Sequence, residues 1–183
     1  MNEPPNPSGM RTDLTVRIAA PADAACLAAL GSQVWLHTYA RSGIRPAIAR
    51  YVHEQLSPMA LRHQLERPDT FTLVAEVNGH LVGYATGELG KPCRADSPAL
   101  THLDKLYVQE YFLGTGIGRT LLTEVRAEAA RRTGSSALWL TVNSRNAPAR
   151  AFYARQGLMD IGATNFDLYG EPHENRILHV LEG

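Results

Sequence analysis

Residues Leu106 to Leu122 read Leu-Tyr-Val-Gln-Glu-Tyr-Phe-Leu-Gly-Thr-Gly-Ile-Gly-Arg-Thr-Leu-Leu, and this stretch decides the fold. An apolar strand closes at Val108, a short turn follows, and glycines alternate at Gly114, Gly116 and Gly118. A helical pattern begins at once, with Ile117, Leu121, Leu122, Val125 and Ala129 on one face. Glycines at such a junction let the backbone approach a ligand closely. The first N–H groups of the helix lack internal partners, and the helix dipole favours an anion there. Strand, glycine turn and helix together read as a pyrophosphate cradle. The plainer reading is a turn that merely joins strand to helix.

Two common phosphate motifs do not fit. A G-x-G-x-x-G fingerprint starting at Gly114 needs glycine where Arg119 stands. A P-loop needs Gly-Lys-Ser/Thr where the chain has Gly118-Arg119-Thr120.

The segment L-Y-V-x5-G-x-G-I-G-x-x-L-L resembles the coenzyme A loop of the GNAT (Gcn5-related) N-acetyltransferase superfamily. The family form Q/R-x-x-G-x-G/A aligns with Leu113-Gly114-Thr115-Gly116-Ile117-Gly118. A second family block, N-x-x-A-x-x-F-Y-x-x-x-G-F, lies in the run from Asn143-Ser144-Arg145-Asn146 through Ala149, Phe152 and Tyr153 to Gln156-Gly157-Leu158. Leucine replaces the usual last phenylalanine. Leu113 departs from the family more seriously, because its side chain cannot bond phosphate. A weaker similarity to bacterial polyamine (spermidine/spermine) N-acetyltransferases rests on LDKLYV, LWLTV and Gly162-Ala163-x-x-Phe166.

The resemblance implies an α/β (α+β) GNAT fold, with a mixed, mostly antiparallel central sheet flanked by helices. It implies acyl-CoA bound where the two central strands carrying Val108 and Val142 splay apart. Acetyl-CoA is then the co-substrate, with no metal, and a small-molecule amine is the acceptor, a polyamine among the candidates. The amine attacks the thioester directly. Alternatives are transfer to a protein N-terminus or lysine, or a non-catalytic acyl-CoA-binding sensor.

The same resemblance assigns residues. Leu106, Tyr107 and Val108 offer backbone groups to the pantetheine arm, and the Val108 N–H polarises the thioester carbonyl. Leu113, Gly114, Thr115, Gly116, Ile117, Gly118, Arg119 and Thr120 hold the pyrophosphate. Asn143, Asn146 and Phe152 complete the donor site. Tyr153 protonates the coenzyme A thiolate as general acid. Its plainer reading is a core aromatic beside Phe152, and that of Asn146 is a helix N-cap.

An alkyl amine has a pKa of about 10.4, so only about one in a thousand is neutral at pH 7. Its proton needs an acceptor. His102 lies where many family members place a glutamate, and histidine titrates in the right range. Asp104, two residues on, faces the same side of the strand. Both also read as plain polar strand residues, and Glu76 and Glu88 are outsiders.

Composition agrees with one globular domain. The 183-residue chain has zero formal net charge, which favours neither nucleic acid nor a membrane surface as partner. Its two cysteines form no metal or disulfide pattern. Cys26 reads as packing within an alanine-rich helix, and Cys93 as an inert loop thiol. No apolar run is long enough to span a membrane and no signal peptide is evident, so a cytoplasmic location is expected. A homodimer accords with the family, although no exposed apolar stripe marks a face for it.

Along the chain, residues 1–13 read as a flexible tail and residues 14–183 as the single domain. Leu14 to Ile18 opens the sheet, and a helix starts at Pro21. A second helical region, Arg41 to Pro68, breaks near Ser57-Pro58. It carries Arg41, Arg45, Arg50, Arg62 and Arg67 against only Glu54 and Glu66, an unfavourable roof for a polycation. Asn78-Gly79 predicts a hairpin between strands Phe71–Glu76 and Leu81–Glu88. Strand Ala99–Val108, a helix from Ile117 to Gly134, strand Ala137–Val142 and a helix from Pro148 to Gly157 follow. Asp160–Leu168 and Arg176–Glu182 close the sheet.

Overall fold

The computed structural model describes residues 13–182, so the tail expected over 1–13 lies outside the described residues except for Asp13. The strands are β1 (Leu14–Ile18), β2 (Thr70–Val77), β3 (His80–Glu88), β4 (Thr101–Val108), β5 (Leu138–Asn143), β6 (Met159–Leu168) and β7 (Glu171–Val180). The α-helices are α1 (Ala24–Tyr39), α2 (Pro46–Gln55), α3 (Pro58–Glu66), α4 (Ile117–Thr133) and α5 (Ala147–Arg155). One seven-stranded sheet runs β1-β2-β3-β4-β5-β7-β6. Every neighbouring pair is antiparallel except β4 and β5.

Local chemistry sets the boundaries. Asn78 and Gly79 take φ of 52° and 75°, the positive values a tight hairpin requires. Ser57 caps α3 by accepting the Ala60 N–H at 3.2 Å, with Pro58 in the first turn. Two expectations need correction. Strand β7 starts at Glu171 and not at Arg176, because it pairs with β6 along its whole length. Its first half, Glu171 to Asn175, lacks apolar alternation, but main-chain pairing does not need it. Cys26 is exposed on α1 and does not pack; Leu27, Ala28, Leu30 and Trp35 carry that helix's buried face.

The sheet separates two cores. On one side α4 sends Ile117, Leu121, Leu122, Val125 and Ala129 onto Leu103, Leu138, Leu140 and Val142, as its apolar face predicts. On the other, Leu27, Leu30 and Leu61 from α1 and α3 cover Val74 and Tyr84. A smaller cluster under α2 joins Trp35, Ile48 and Leu56 to Leu168 of the β6–β7 hairpin. Among the described residues no helix is long and apolar enough to cross a membrane.

Two irregularities of β4 position the site. It pairs with β5 only at Thr101↔Leu138 and His102↔Trp139, after which the strands part. Beyond His102 the backbone groups on those facing edges have no strand to bond, which leaves donors and acceptors open inside the fold. The second irregularity is a bulge: Thr86 pairs with Lys105 and Gly87 with Leu103, so Asp104 is the extra residue.

Candidate active site

The cradle has the geometry its sequence suggests. Gly116 is the residue before α4, with φ 94°, and no side chain caps the helix. Gly114 is also left-handed, at φ 78°. The turn is held from within, by the Thr115 hydroxyl donating to the Phe112 carbonyl at 2.7 Å and the Thr120 hydroxyl to the Gly116 carbonyl at 3.3 Å. The helix N–H groups therefore stay open toward an anion. Arg119 is exposed in the first turn. Leu113 is 60% exposed and offers no hydrogen bond of its own.

Helix α5 packs onto this turn. A Cβ placed on Gly118 would lie 3.4 Å from the Phe152 ring and 3.8 Å from Val108, so the glycine permits close approach of α4 to α5 and β4. Tyr153 is buried in the core cluster that holds Val142, and Leu106 and Val108 pack against that cluster. Burial pushes the Tyr153 phenol above its ordinary value, and the neighbouring Tyr39 adds to the rise. Asn146 caps α5, its side-chain oxygen accepting the Ala149 N–H at 3.2 Å. Burial raises the Tyr39 phenol above its ordinary value, and the nearby Asn146 side chain opposes that rise. Asn143 folds its oxygen onto the Arg145 N–H at 2.9 Å. The Tyr107 ring turns to the opposite face and meets Tyr84 edge-on at 5.4 Å, so only its backbone lies toward the splay.

A cavity of about 520 Å³ opens on the α1–α3 side of the sheet. Asp104, Lys105 and Glu88 line one wall, with Gln64 of α3; Tyr51 of α2 and Phe166 of β6 line another. Because of the bulge, Asp104 and Lys105 both reach this side, while Leu103, Leu106 and Val108 go to the α4 core. Asp104 Oδ2 accepts Gln64 Nε2 at 3.1 Å and pairs with the Lys105 ammonium. Burial alone would raise the Asp104 carboxyl, but Lys105, His102 and Gln64 together hold it down at about 2.

His102 is buried behind this wall. Its Nδ1 lies 2.8 Å from Glu88 Oε2, and its ring lies over Trp139 with centroids 4.3 Å apart. Glu88 also pairs with Lys91, and with Arg67 at 3.5 Å. The His102 bond, then burial in opposition, then Lys91 leave the Glu88 carboxyl below its ordinary value. Glu88, His102 and Asp104 bring one ligand atom each within 4.8 Å of one another, a grouping that the sequence spacing did not announce. Three cations already neutralise its carboxylates.

The structure thus unites His102 with Asp104, as expected, and adds Glu88, Lys105, Gln64, Tyr51 and Phe166. Of these Lys105 and Phe166 stood in motifs, LDKLYV and the Gly162-Ala163-x-x-Phe166 tail, and Glu88 stood among the outlying bases. The roof arginines are mostly spent elsewhere: Arg45 pairs with Glu171, Arg50 with Glu54 and Arg67 with Asp69.

The profile of the acetyltransferase (GNAT) family matches residues 36–158, more than half of the chain. An uncharacterized N-acetyltransferase of Mycobacterium tuberculosis is 36% identical over 135 residues, which cover 74% of this chain and 81% of the relative. The chain belongs to the GNAT family of acetyltransferases. Among solved structures, the PaiA N-acetyltransferase of Thermoplasma acidophilum in complex with coenzyme A superposes with a TM-score of 0.69 at 20% identity, covering 90% of this chain and 98% of that one. The yncA protein of Salmonella typhimurium, solved with its cofactor acetyl-CoA, gives 0.65 at 23% identity over 93% of this chain and 94% of that one.

Proposed function

We propose that the protein transfers an acetyl group from acetyl-CoA to the nitrogen of a small primary amine. One observation carries this reading: an uncapped glycine turn at α4 and the parted edges of β4 and β5 lie around Tyr153, with an open polar cavity on the other side of β4. The N–H groups of Gly116, Ile117, Gly118 and Arg119, ahead of the first intrahelical bond from Thr120 to Gly116, suit a pyrophosphate. The unpaired edges of Leu106 to Val108 and of Val142 suit the amide-rich pantetheine arm, with the Val108 N–H toward the thioester carbonyl. Acetyl-CoA, when bound, supplies the acyl group as a thioester.

The protein's residues then manage one bond exchange. The amine nitrogen forms a bond to the carbonyl carbon, and the carbon–sulfur bond breaks. Tyr153 gives its proton to the departing sulfur and regains one from solvent. The phenol's raised pKa keeps it protonated at neutral pH, the form a donor needs. Asp104, at about 2, is too weak a base to take a proton from an ammonium and serves as an anchor for it. Glu88 lines the cavity and is hydrogen-bonded to His102, so the Glu88–His102 pair acts as one unit that receives the amine proton. Without such an acceptor, loss of that proton at pH 7 costs roughly 4–5 kcal/mol.

The test is amine-dependent release of coenzyme A from acetyl-CoA, measured with wild type and Tyr153→Phe. Release that needs both an amine and Tyr153 is expected. Acetyl-CoA that binds but is released with no amine tested, including peptides with free N-termini, points to the sensor reading.

A further inference from the structure

We infer that the acceptor is a primary monoamine borne on an uncharged apolar or aromatic body. The inference rests on the acetyl-transfer reading and concerns the same cavity. On the cavity wall the carboxylates, Arg67 and Lys105 are engaged by protein partners, Asp104 only in part.

Glu88 is engaged through both oxygens: Oε2 by His102 and Lys91, and Oε1 by Arg67. Asp167 spends both oxygens on the Gly170 N–H, at 3.2 and 3.1 Å, inside the β6–β7 turn. Arg67 spends Nε and one terminal nitrogen on Asp69 and the other on Glu88. Lys105 is buried between Asp104 and Gln64. Asp104 differs: its protein donors both reach Oδ2, and among the described residues none reaches Oδ1. The wall therefore offers one carboxylate oxygen to one ammonium.

The apolar surface of the cavity is concentrated at Tyr51, Phe166 and Leu168, beside the polar Gln55, His63 and Tyr169. Tyr51 stacks on Trp35 with centroids 3.9 Å apart and planes 15° from parallel, and meets Phe166 edge-on at 6.2 Å. Tyr51 and Asp104 line the same cavity. An ammonium at Asp104 thus sits beside aromatic rings, and its hydrocarbon body lies along Tyr51, Phe166 and Leu168. A second ammonium finds no uncommitted carboxylate, and an acceptor carboxylate finds Arg67 and Lys105 already paired. Burying either charge unpaired is strongly unfavourable.

The experiment compares initial rates of acetyl transfer to 2-phenylethylamine, hexylamine, spermidine, putrescine and phenylalanine. The expected kcat/KM for the first two exceeds that for the others by at least about tenfold. Phe166→Ala should raise KM for 2-phenylethylamine several-fold more than for hexylamine, with acetyl-CoA affinity unchanged by calorimetry. Preference for spermidine, putrescine or phenylalanine overturns the inference while leaving the transferase reading intact. Silence on all five amines and on peptides with free N-termini, with acetyl-CoA bound, removes the transferase reading itself.

Discussion

Glu88 and His102 stand opposite one another in the β3–β4 register, with Oε2 and Nδ1 2.8 Å apart. The bond fixes the imidazole while Trp139 covers its face. Glu88 alone of the two is on the cavity wall, so the pair connects the cavity to a histidine that the acceptor does not touch.

From this pairing, replacement of His102 and of Asp104 should separate into different kinetic constants. His102→Gln keeps a donor for Glu88 but cannot accept the proton, and kcat should fall about a hundredfold. Asp104→Asn removes the ammonium anchor, and KM for the amine should rise about tenfold or more, with the smaller change in kcat. Steady-state kinetics at saturating acetyl-CoA reads both. Equal kcat in His102→Gln and wild type would remove the pair as proton acceptor.

Acid should weaken the fold through the same aspartate. The folded-state pKa of Asp104, about 2, lies below its unfolded value, so its stabilisation is complete above about pH 4 and is lost as pH falls through about 2. The shift corresponds to about 2 kcal/mol at neutral pH, with the side chain 27% exposed. Denaturant melts between about pH 4 and pH 2 should show this slope in wild type and a flatter one in Asp104→Asn. The variant is also weaker at pH 7, because Lys105 stays buried without its partner.

Tyr153 yields a different pH expectation. Burial raises its pKa above the ordinary value of about 10, so the donor form persists across the neutral and mildly basic range. The kcat profile should show no alkaline limb from this residue below about pH 10. Tyr153→Phe should lower kcat about a hundredfold or more, leaving the affinity for coenzyme A nearly unchanged. An alkaline limb near pH 8 that disappears in Tyr153→Phe would contradict the assignment.

The donor half of this molecule was legible in the sequence because it is local. A strand end, left-handed glycines and a helix start are neighbours in the chain, and Phe152-Tyr153 follows one helix further on. The acceptor half was not, because its members meet only through the sheet. Glu88 reaches His102 by strand pairing, Gln64 reaches Asp104 from α3, and Phe166 reaches Tyr51 from the far hairpin. The bulge at Asp104 leaves no mark in the letters, yet it turns Lys105 to the cavity beside Asp104 and so cancels half of the charge that a polyamine would seek. The arginine-rich roof misled in the opposite sense, since Arg45 and Arg50 pair outside the cavity and Arg67, which lines it, is held by Asp69 and Glu88.

The cradle can be tested against a control in its own helix. Gly116 before α4 and Gly134 after it are both left-handed, at φ 94° and 81°. Alanine at either position carries a similar backbone penalty of about 1–2 kcal/mol. Only Gly116 adjoins the open N–H groups. Gly116→Ala and Gly134→Ala should therefore lower Tm alike, while Gly116→Ala alone weakens acetyl-CoA binding, by about tenfold or more in calorimetry. Leu113→Arg runs the other way. It places a guanidinium on an exposed position beside the turn, where charge-assisted bonds to a pyrophosphate become available, and should tighten binding several-fold at low salt. The gain should shrink as ionic strength rises. Equal losses of affinity in both glycine variants would mean that the turn serves only the helix.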